Sequence, residues 1–131
     1  MITGLNHITL SVSNLERSID FYTQLGFTGH VKWQSGAYLS AGDLWLCLAL
    51  GQSAPANDYS HIAFTIANEH FKSFCSRMRQ MNIAEWKSNS SEGDSIYLLD
   101  PDGHQLEVHV GNLDSRLKSL EVQPYDGLEW L

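Results

Sequence analysis

The chain has 131 residues, of which 43% are hydrophobic and 18% charged, and its formal net charge is −7. That length fits one domain with a core that needs no disulfide or structural metal, and the composition excludes a disordered chain. The acidic balance argues against nucleic acid or an anionic membrane as a partner, because both select a basic surface, but it does not exclude a local cationic pocket.

Met1-Ile2-Thr3-Gly4 lacks a basic region followed by an apolar run, so no signal peptide is expected. Residues 6–12 alternate polar and apolar and predict a strand with His7 one residue in. Asn14 then suits a helix cap, and Leu15, Ile19, Phe21, Tyr22 and Leu25 follow at helical spacing, with Gly26 as the stop. Strands are predicted over 27–33, 37–40 and 45–50, with Gly36 and Gly42 at the turns. Residues 51–58 have loop composition. The order then repeats. Residues 60–66 predict a strand with His61 in the place of His7. Asn68 is read as a cap, and Phe71, Phe74, Cys75, Met78 and Met81 mark a helix. Strands are predicted over 84–87, 95–99 and 105–110, with Gly93 and Asp102-Gly103 at the turns. A short helix over 113–120 and a tail ending in Trp130-Leu131 complete the chain.

The reading is therefore an α+β domain of two βαβββ modules, 1–50 and 59–111, with a linker over 51–58 and a tail over 112–131. One such half leaves an apolar sheet face, so two halves or two chains must pair, and Trp45, Trp86 and Trp130 are available to cover that surface. Cys47 and Cys75 form no CxxC pair and read as small buried hydrophobes. No run approaches ~20 apolar residues, so no membrane span is expected and the cytoplasm is the expected location.

His7 and His61 stand at equivalent places in the two halves. Glu107 is a third candidate, sharing one strand face with Gln105 and His109, while Leu106, Val108 and Val110 share the other. Two imidazoles and a carboxylate leave open positions on a divalent ion, as Lewis-acid catalysis requires. A strand histidine is more commonly a surface or hydrogen-bonded residue, and only the repeat lifts this pair above that reading. His30, His70, His104 and His109 have no matching partner and are read as non-ligands.

Two βαβββ units carrying His, His and Glu resemble the vicinal oxygen chelate, or glyoxalase, superfamily. Within it the chain resembles the FosA-type fosfomycin resistance proteins over nearly its whole length. The resemblance rests on Gly4-Leu5-Asn6-His7-Ile8-Thr9-Leu10, Gly36-Ala37-Tyr38-Leu39, Leu44-Trp45-Leu46-Cys47-Leu48 and Asp58-Tyr59-Ser60-His61. Its most specific stretch is Glu85-Trp86-Lys87 with Ser91-Glu92-Gly93-Asp94-Ser95-Ile96-Tyr97, before Asp100-Pro101-Asp102-Gly103-His104.

The resemblance implies a metal-dependent glutathione transferase that opens the epoxide of fosfomycin. It implies a domain-swapped homodimer in which His7 of one chain joins His61 and Glu107 of the other. It further implies Mn²⁺ as metal, and K⁺ at Asn89, Ser91, Gly93, Ser95 and Tyr97. Thr9, Lys87, Ser91, Ser95, Tyr97 and Arg116 would hold the phosphonate, Tyr38 would donate to the thiol, and Trp45 would wall the ring carbons. Thr9 stands where the bacillithiol-using branch usually has Cys. Near Gly42–Trp45, where the water-using branch has a Glu base, this chain has only Asp43. Both features favour glutathione. Trp33 and Tyr125 of the thiol surroundings are retained, but Ser35, Ala49 and Ser90 replace the Gln, Ser and Arg of relatives. Losing that Arg removes a contact of roughly 1.5–3 kcal/mol, so weaker glutathione binding is expected. The alternatives are another metalloenzyme of the superfamily (a dioxygenase, isomerase or epoxide hydrolase) and a non-catalytic binding protein.

Overall fold

A computed structural model describes all 131 residues. They form two compact units, one of Met1–Asp58 with Asp100–His104, the other of Tyr59–Leu99 with Gln105–Leu131.

The first unit contains β1 (His7–Val12), α1 (Leu15–Leu25), β2 (Thr28–Trp33), β3 (Gly36–Ala41) and β4 (Leu44–Leu50). Its sheet order is β1-β4-β3-β2, with β1 parallel to β4 and the other pairs antiparallel. The Asn14 side chain accepts from the Arg17 amide at the start of α1, and Gly26, at φ 113°, ends the helix in a left-handed conformation that a side chain would strain. The buried stripe of α1 is Leu15, Ser18, Phe21 and Tyr22, a helical spacing. With Leu10, Val12, Leu39, Leu46 and Leu48 from the sheet it makes the core. Each fully buried Leu here contributes about 1.5–3 kcal/mol.

The turn Asp100–His104 belongs to this unit although its flanking strands belong to the other. Tyr22 donates its hydroxyl to Asp100 Oδ2 at 2.7 Å, and the Ser13 amide donates to both oxygens of Asp102 at 3.1 and 3.2 Å. Asp100 Oδ1 also accepts the amides of Asp102 and His104, so one buried carboxylate both shapes the turn and anchors it. Burial and the charge of Asp100 push the Tyr22 pKa far up, which keeps its hydroxyl a donor.

The second unit contains β5 (Ile62–Thr65), α2 (Asn68–Gln80), β6 (Glu85–Lys87), β7 (Ser95–Leu99), β8 (Gln105–His109) and α3 (Leu113–Val122), with sheet order β5-β8-β7-β6. Here the sequence reading needs correction. His61 lies one residue before β5, whose pairing with β8 begins at Ile62↔Leu106. Asn68 is the first helical residue of α2 rather than its cap. Ala67 takes that place in extended conformation and, lacking a side-chain oxygen, caps nothing. The final helix runs two residues beyond the expected 113–120. Asn112 starts it in a capping box in which Asn112 and Ser115 each satisfy the other's amide. Trp130 and Trp45 remain exposed, whereas Trp86 is half-buried and donates Nε1 to the Leu106 carbonyl at 2.9 Å. Both cysteines are buried free thiols. No helix is long and apolar enough to cross a membrane.

Candidate active site

Glu107 sits mid-strand in β8, opposite Tyr97 of β7, and is only 8% exposed. Burial opposes its ionisation, but hydrogen bonds from Ser95 and His61 outweigh that cost and hold its carboxyl below the usual range. Ser95 donates to Oε1 at 2.5 Å, and His61 Nε2 lies 3.0 Å from Oε2. His61 Nδ1 donates to the Tyr59 carbonyl at 2.8 Å. That bond fixes the ring and directs Nε2 at the carboxylate. The rings of Tyr59, Trp86 and Tyr97 pack around the imidazole with centroids 5.0, 5.6 and 6.3 Å away.

The same unit carries the two expected cations, Lys87 and Arg116. Lys87 Nζ donates to the Tyr59 hydroxyl at 2.8 Å and stands 4.9 and 4.8 Å from the centroids of Tyr59 and Tyr97. The bond to Tyr59 raises its pKa, so the ammonium stays charged at neutral pH. Arg116 of α3 donates from Nε to Glu92 Oε2 at 3.2 Å, and from its terminal nitrogens to the Glu92 carbonyl, Ser91 Oγ and Tyr125 Oη. Burial opposes its charge, yet Glu92 and Tyr125 outweigh that and hold its pKa above the ordinary value. The loop between β6 and β7 is tied from within. Asn89 Nδ2 donates to the carbonyls of Ser91 and Gly93 at 3.4 and 2.8 Å, while Asn89 Oδ1 accepts from the Ser91 amide and hydroxyl and from the Tyr97 hydroxyl.

In the first unit an aromatic row crosses the sheet. His7 lies 4.7 Å from Trp45, Trp45 5.1 Å from Tyr38, and Tyr38 4.8 Å from Trp33, measured between centroids. Gly36 makes room for this row, since a Cβ there would lie 2.5 Å from the Trp33 ring. His7 Nδ1 donates to Asn6 Oδ1 at 2.7 Å. Thr9 follows two residues along β1, on the His7 side, opposite Cys47.

Gly4 to Val108 match the superfamily described as Glyoxalase/Bleomycin resistance protein/Dioxygenase. The chain is 46% identical to a glutathione transferase FosA of Serratia marcescens, across 98% of this chain and 95% of the relative. It is 40% identical to a metallothiol transferase FosB of Staphylococcus haemolyticus, across 95% and 96%. A crystal structure of the fosfomycin resistance protein FosX from Listeria monocytogenes superimposes with a TM-score of 0.81 at 31% identity, covering 91% of this chain and 99% of that one. A variant of the same FosX, complexed with Mn(II) and 1S,2S-dihydroxypropylphosphonic acid, gives a TM-score of 0.78 at 32% identity, with coverages of 90% and 99%. The chain belongs to the fosfomycin resistance enzymes of the glyoxalase superfamily.

The residues expected from this family fall into two groups. His7, Thr9, Trp33, Tyr38 and Trp45 line one sheet of the first unit. His61, Lys87, Asn89, Ser91, Gly93, Ser95, Tyr97, Glu107, Arg116 and Tyr125 gather in the second, linked by the hydrogen bonds and ring contacts above. No group of three His, Cys, Asp or Glu side chains within the single chain could hold a metal. The donor chemistry nevertheless fits a divalent ion. Each histidine commits Nδ1 to an oxygen and leaves Nε2 for a second partner, an outer-sphere arrangement common to metal-ligating histidines. In His61 that partner is the Glu107 carboxylate, met at 3.0 Å through a proton whose place a divalent ion would take.

Sequence reasoning passed over four residues of these surroundings. Asn6 orients His7, Tyr59 touches both His61 and Lys87, Glu92 pairs with Arg116, and His109 bonds Ser95. Asn6 is adjacent to a ligand candidate, and Tyr59 lies two residues before one. Both also lie in the stretches that carry the family resemblance, which assigns neither a role.

Proposed function

We propose that this enzyme opens the epoxide of fosfomycin by adding glutathione, as a homodimer in which His7 of one protomer meets His61 and Glu107 of the other around Mn²⁺. The observation that carries the reading is the shared orientation of the histidines, each bonding Nδ1 to an oxygen, with Nε2 of His61 held against the Glu107 carboxylate. The dimer accounts for a set of three ligands that no single chain assembles. Mn²⁺ is favoured because a FosX relative was crystallised with Mn(II). Held there, the ion would supply Lewis-acid stabilisation of the negative charge that grows on the epoxide oxygen.

The chain's own residues do the rest. Lys87 and Arg116 neutralise the phosphonate, Arg as a fork and Lys as a point charge, with Thr9, Ser91, Ser95 and Tyr97 as hydroxyl partners. Arg116 exchanges Glu92 for the phosphonate, its better-matched anion. Trp45 walls the ring carbons, and Tyr38 donates to the sulfur and favours the thiolate. Trp33 and Tyr125 flank the thiol, with Ser35 and Ala49 in place of the relatives' Gln and Ser, while Ser90, in place of their Arg, removes a cation that could pair with a glutathione carboxylate. The carbonyls of Ser91 and Gly93 converge on the Asn89 amide, a grouping of oxygens that would suit K⁺ with Asn89, Ser95 and Tyr97. Fixing thiolate and epoxide together removes much of the entropic cost of the encounter.

The test is product mass spectrometry after incubating enzyme, Mn²⁺, K⁺ and fosfomycin with glutathione, cysteine or water alone. The expected product is the glutathione adduct. A diol formed equally well without thiol overturns the transferase reading.

A further inference from the structure

Glu107 is held from behind by a second histidine. Ser95 Oγ lies 2.5 Å from Glu107 Oε1 and 2.6 Å from His109 Nδ1. A carboxylate accepts only, so at 2.5 Å the serine hydroxyl must give its one proton to Glu107. The remaining contact of Oγ then has a fixed sense, with His109 donating Nδ1–H to Ser95. The opposite order would set two lone pairs against each other across the Ser95–Glu107 contact.

The imidazole is also held in place. A Cβ added at Gly93 would lie 2.8 Å from His109 Cε1, and one at Gly111 would lie 2.9 Å from His109 Nε2. Both glycines have positive φ, 79° and 134°, so backbone and slot agree on residues without side chains. Neither the ring nor its tautomer is free to change without breaking the chain of bonds.

We infer that His109 is a positioning residue for the metal carboxylate, acting through Ser95, so that the order His109 Nδ1–H to Ser95 O–H to Glu107 Oε1 leaves Oε2 beside His61 as the oxygen free for the ion. The inference rests on the metal reading above.

The test is Mn²⁺ affinity, read by electron paramagnetic resonance of free ion, in His109→Ala, His109→Asn, Ser95→Ala and the double alanine variant. Loss of an outer partner is expected to weaken metal binding about 10–100-fold in His109→Ala and Ser95→Ala. Asn carries an N–H where imidazole Nδ1 stands, so His109→Asn is expected to stay within about threefold of wild type. The double variant is expected to be no weaker than the worse single one, because both cuts sever one chain. An asparagine variant as weak as the alanine variant overturns the inference, since packing alone would then explain the loss. Additive losses in the double variant overturn it too. Wild type that binds no Mn²⁺ sinks the metal reading and this inference together; wild type and His109→Ala that bind alike sink this inference alone.

Discussion

At the centre of the first sheet Tyr38 of β3 faces Cys47 of β4; at the same place in the second, Tyr97 of β7 faces Glu107 of β8. The match continues strand by strand. Gly36 opposite Ala49 corresponds to Ser95 opposite His109, and Val31 beside Tyr38 corresponds to Lys87 beside Tyr97. The tyrosines apart, each of these positions that bears a charge or a hydroxyl in the second unit is apolar or small in the first. The register has been kept while the chemistry has divided. One sheet presents a flat aromatic row with a single histidine at its end, and the other presents a carboxylate, cations and their hydrogen-bonded supports. On the proposed reading the first unit would supply a wall and one ligand, and the second two ligands and the anion site.

The largest effect should come from exchanging across this match at the metal. Glu107→Ala is expected to abolish measurable Mn²⁺ binding, a loss beyond the ~10–100-fold typical of an outer partner. Cys47→Ala, at the corresponding place in the first unit, should bind within about threefold of wild type by the same measure, since a small buried hydrophobe is no ligand there. Equal losses in the two variants would break the comparison.

Next in size is the turn lent to the first unit. Asp100→Ala strands the buried Tyr22 hydroxyl and removes the acceptor of two turn amides. A destabilisation of about 3 kcal/mol is expected, read from urea midpoints at constant slope. If the turn merely joins β7 to β8, the variant will unfold at the wild-type midpoint.

Third, Lys87→Ala should weaken fosfomycin binding about tenfold to a hundredfold by calorimetry, with Mn²⁺ affinity unchanged, because it removes a charged donor and no ligand. A loss of metal binding in that variant would merge two functions that the second unit keeps apart.

What the sequence made legible follows the same division. Periodicity showed both modules, because alternation in 6–12 and 60–66 and helical spacing after Asn14 are local properties. The repeat itself singled out His7 and His61, as no single histidine could have been. Four features stayed hidden for physical reasons. The turn Asp100–His104 is anchored by Ser13 and Tyr22, residues some eighty positions away, and no pattern within the turn announces such partners. The Asn68 cap was misread because Asn also suits the first turn and Ala67 carries no signal of its own. His109 looked like a spare histidine, since its meaning depends on Ser95 across the β7–β8 register and on two glycines that shape its slot. Glu92 was read only as part of the motif, although it is the counter-ion of Arg116.

The smallest effect separates the two aromatic surfaces. Tyr59→Phe keeps the ring beside His61 and Lys87 but deletes the oxygen to which Lys87 donates. One such bond is worth about 1 kcal/mol, so the Kd for fosfomycin should rise about fivefold with the KM for thiol unchanged. Tyr38→Phe deletes a hydroxyl in the first unit, in a row with no cation beside it. Its expected signature is the reverse, an unchanged Kd for fosfomycin with a raised thiol KM and an activity profile displaced to higher pH, because the thiolate loses a donor. Two hydroxyl deletions of equal size that shift different substrates would locate the anion in one unit and the sulfur in the other. If both variants shifted the same constant, the aromatic row would have to be part of the phosphonate site, and the division drawn from Cys47 and Glu107 would not extend to the substrates.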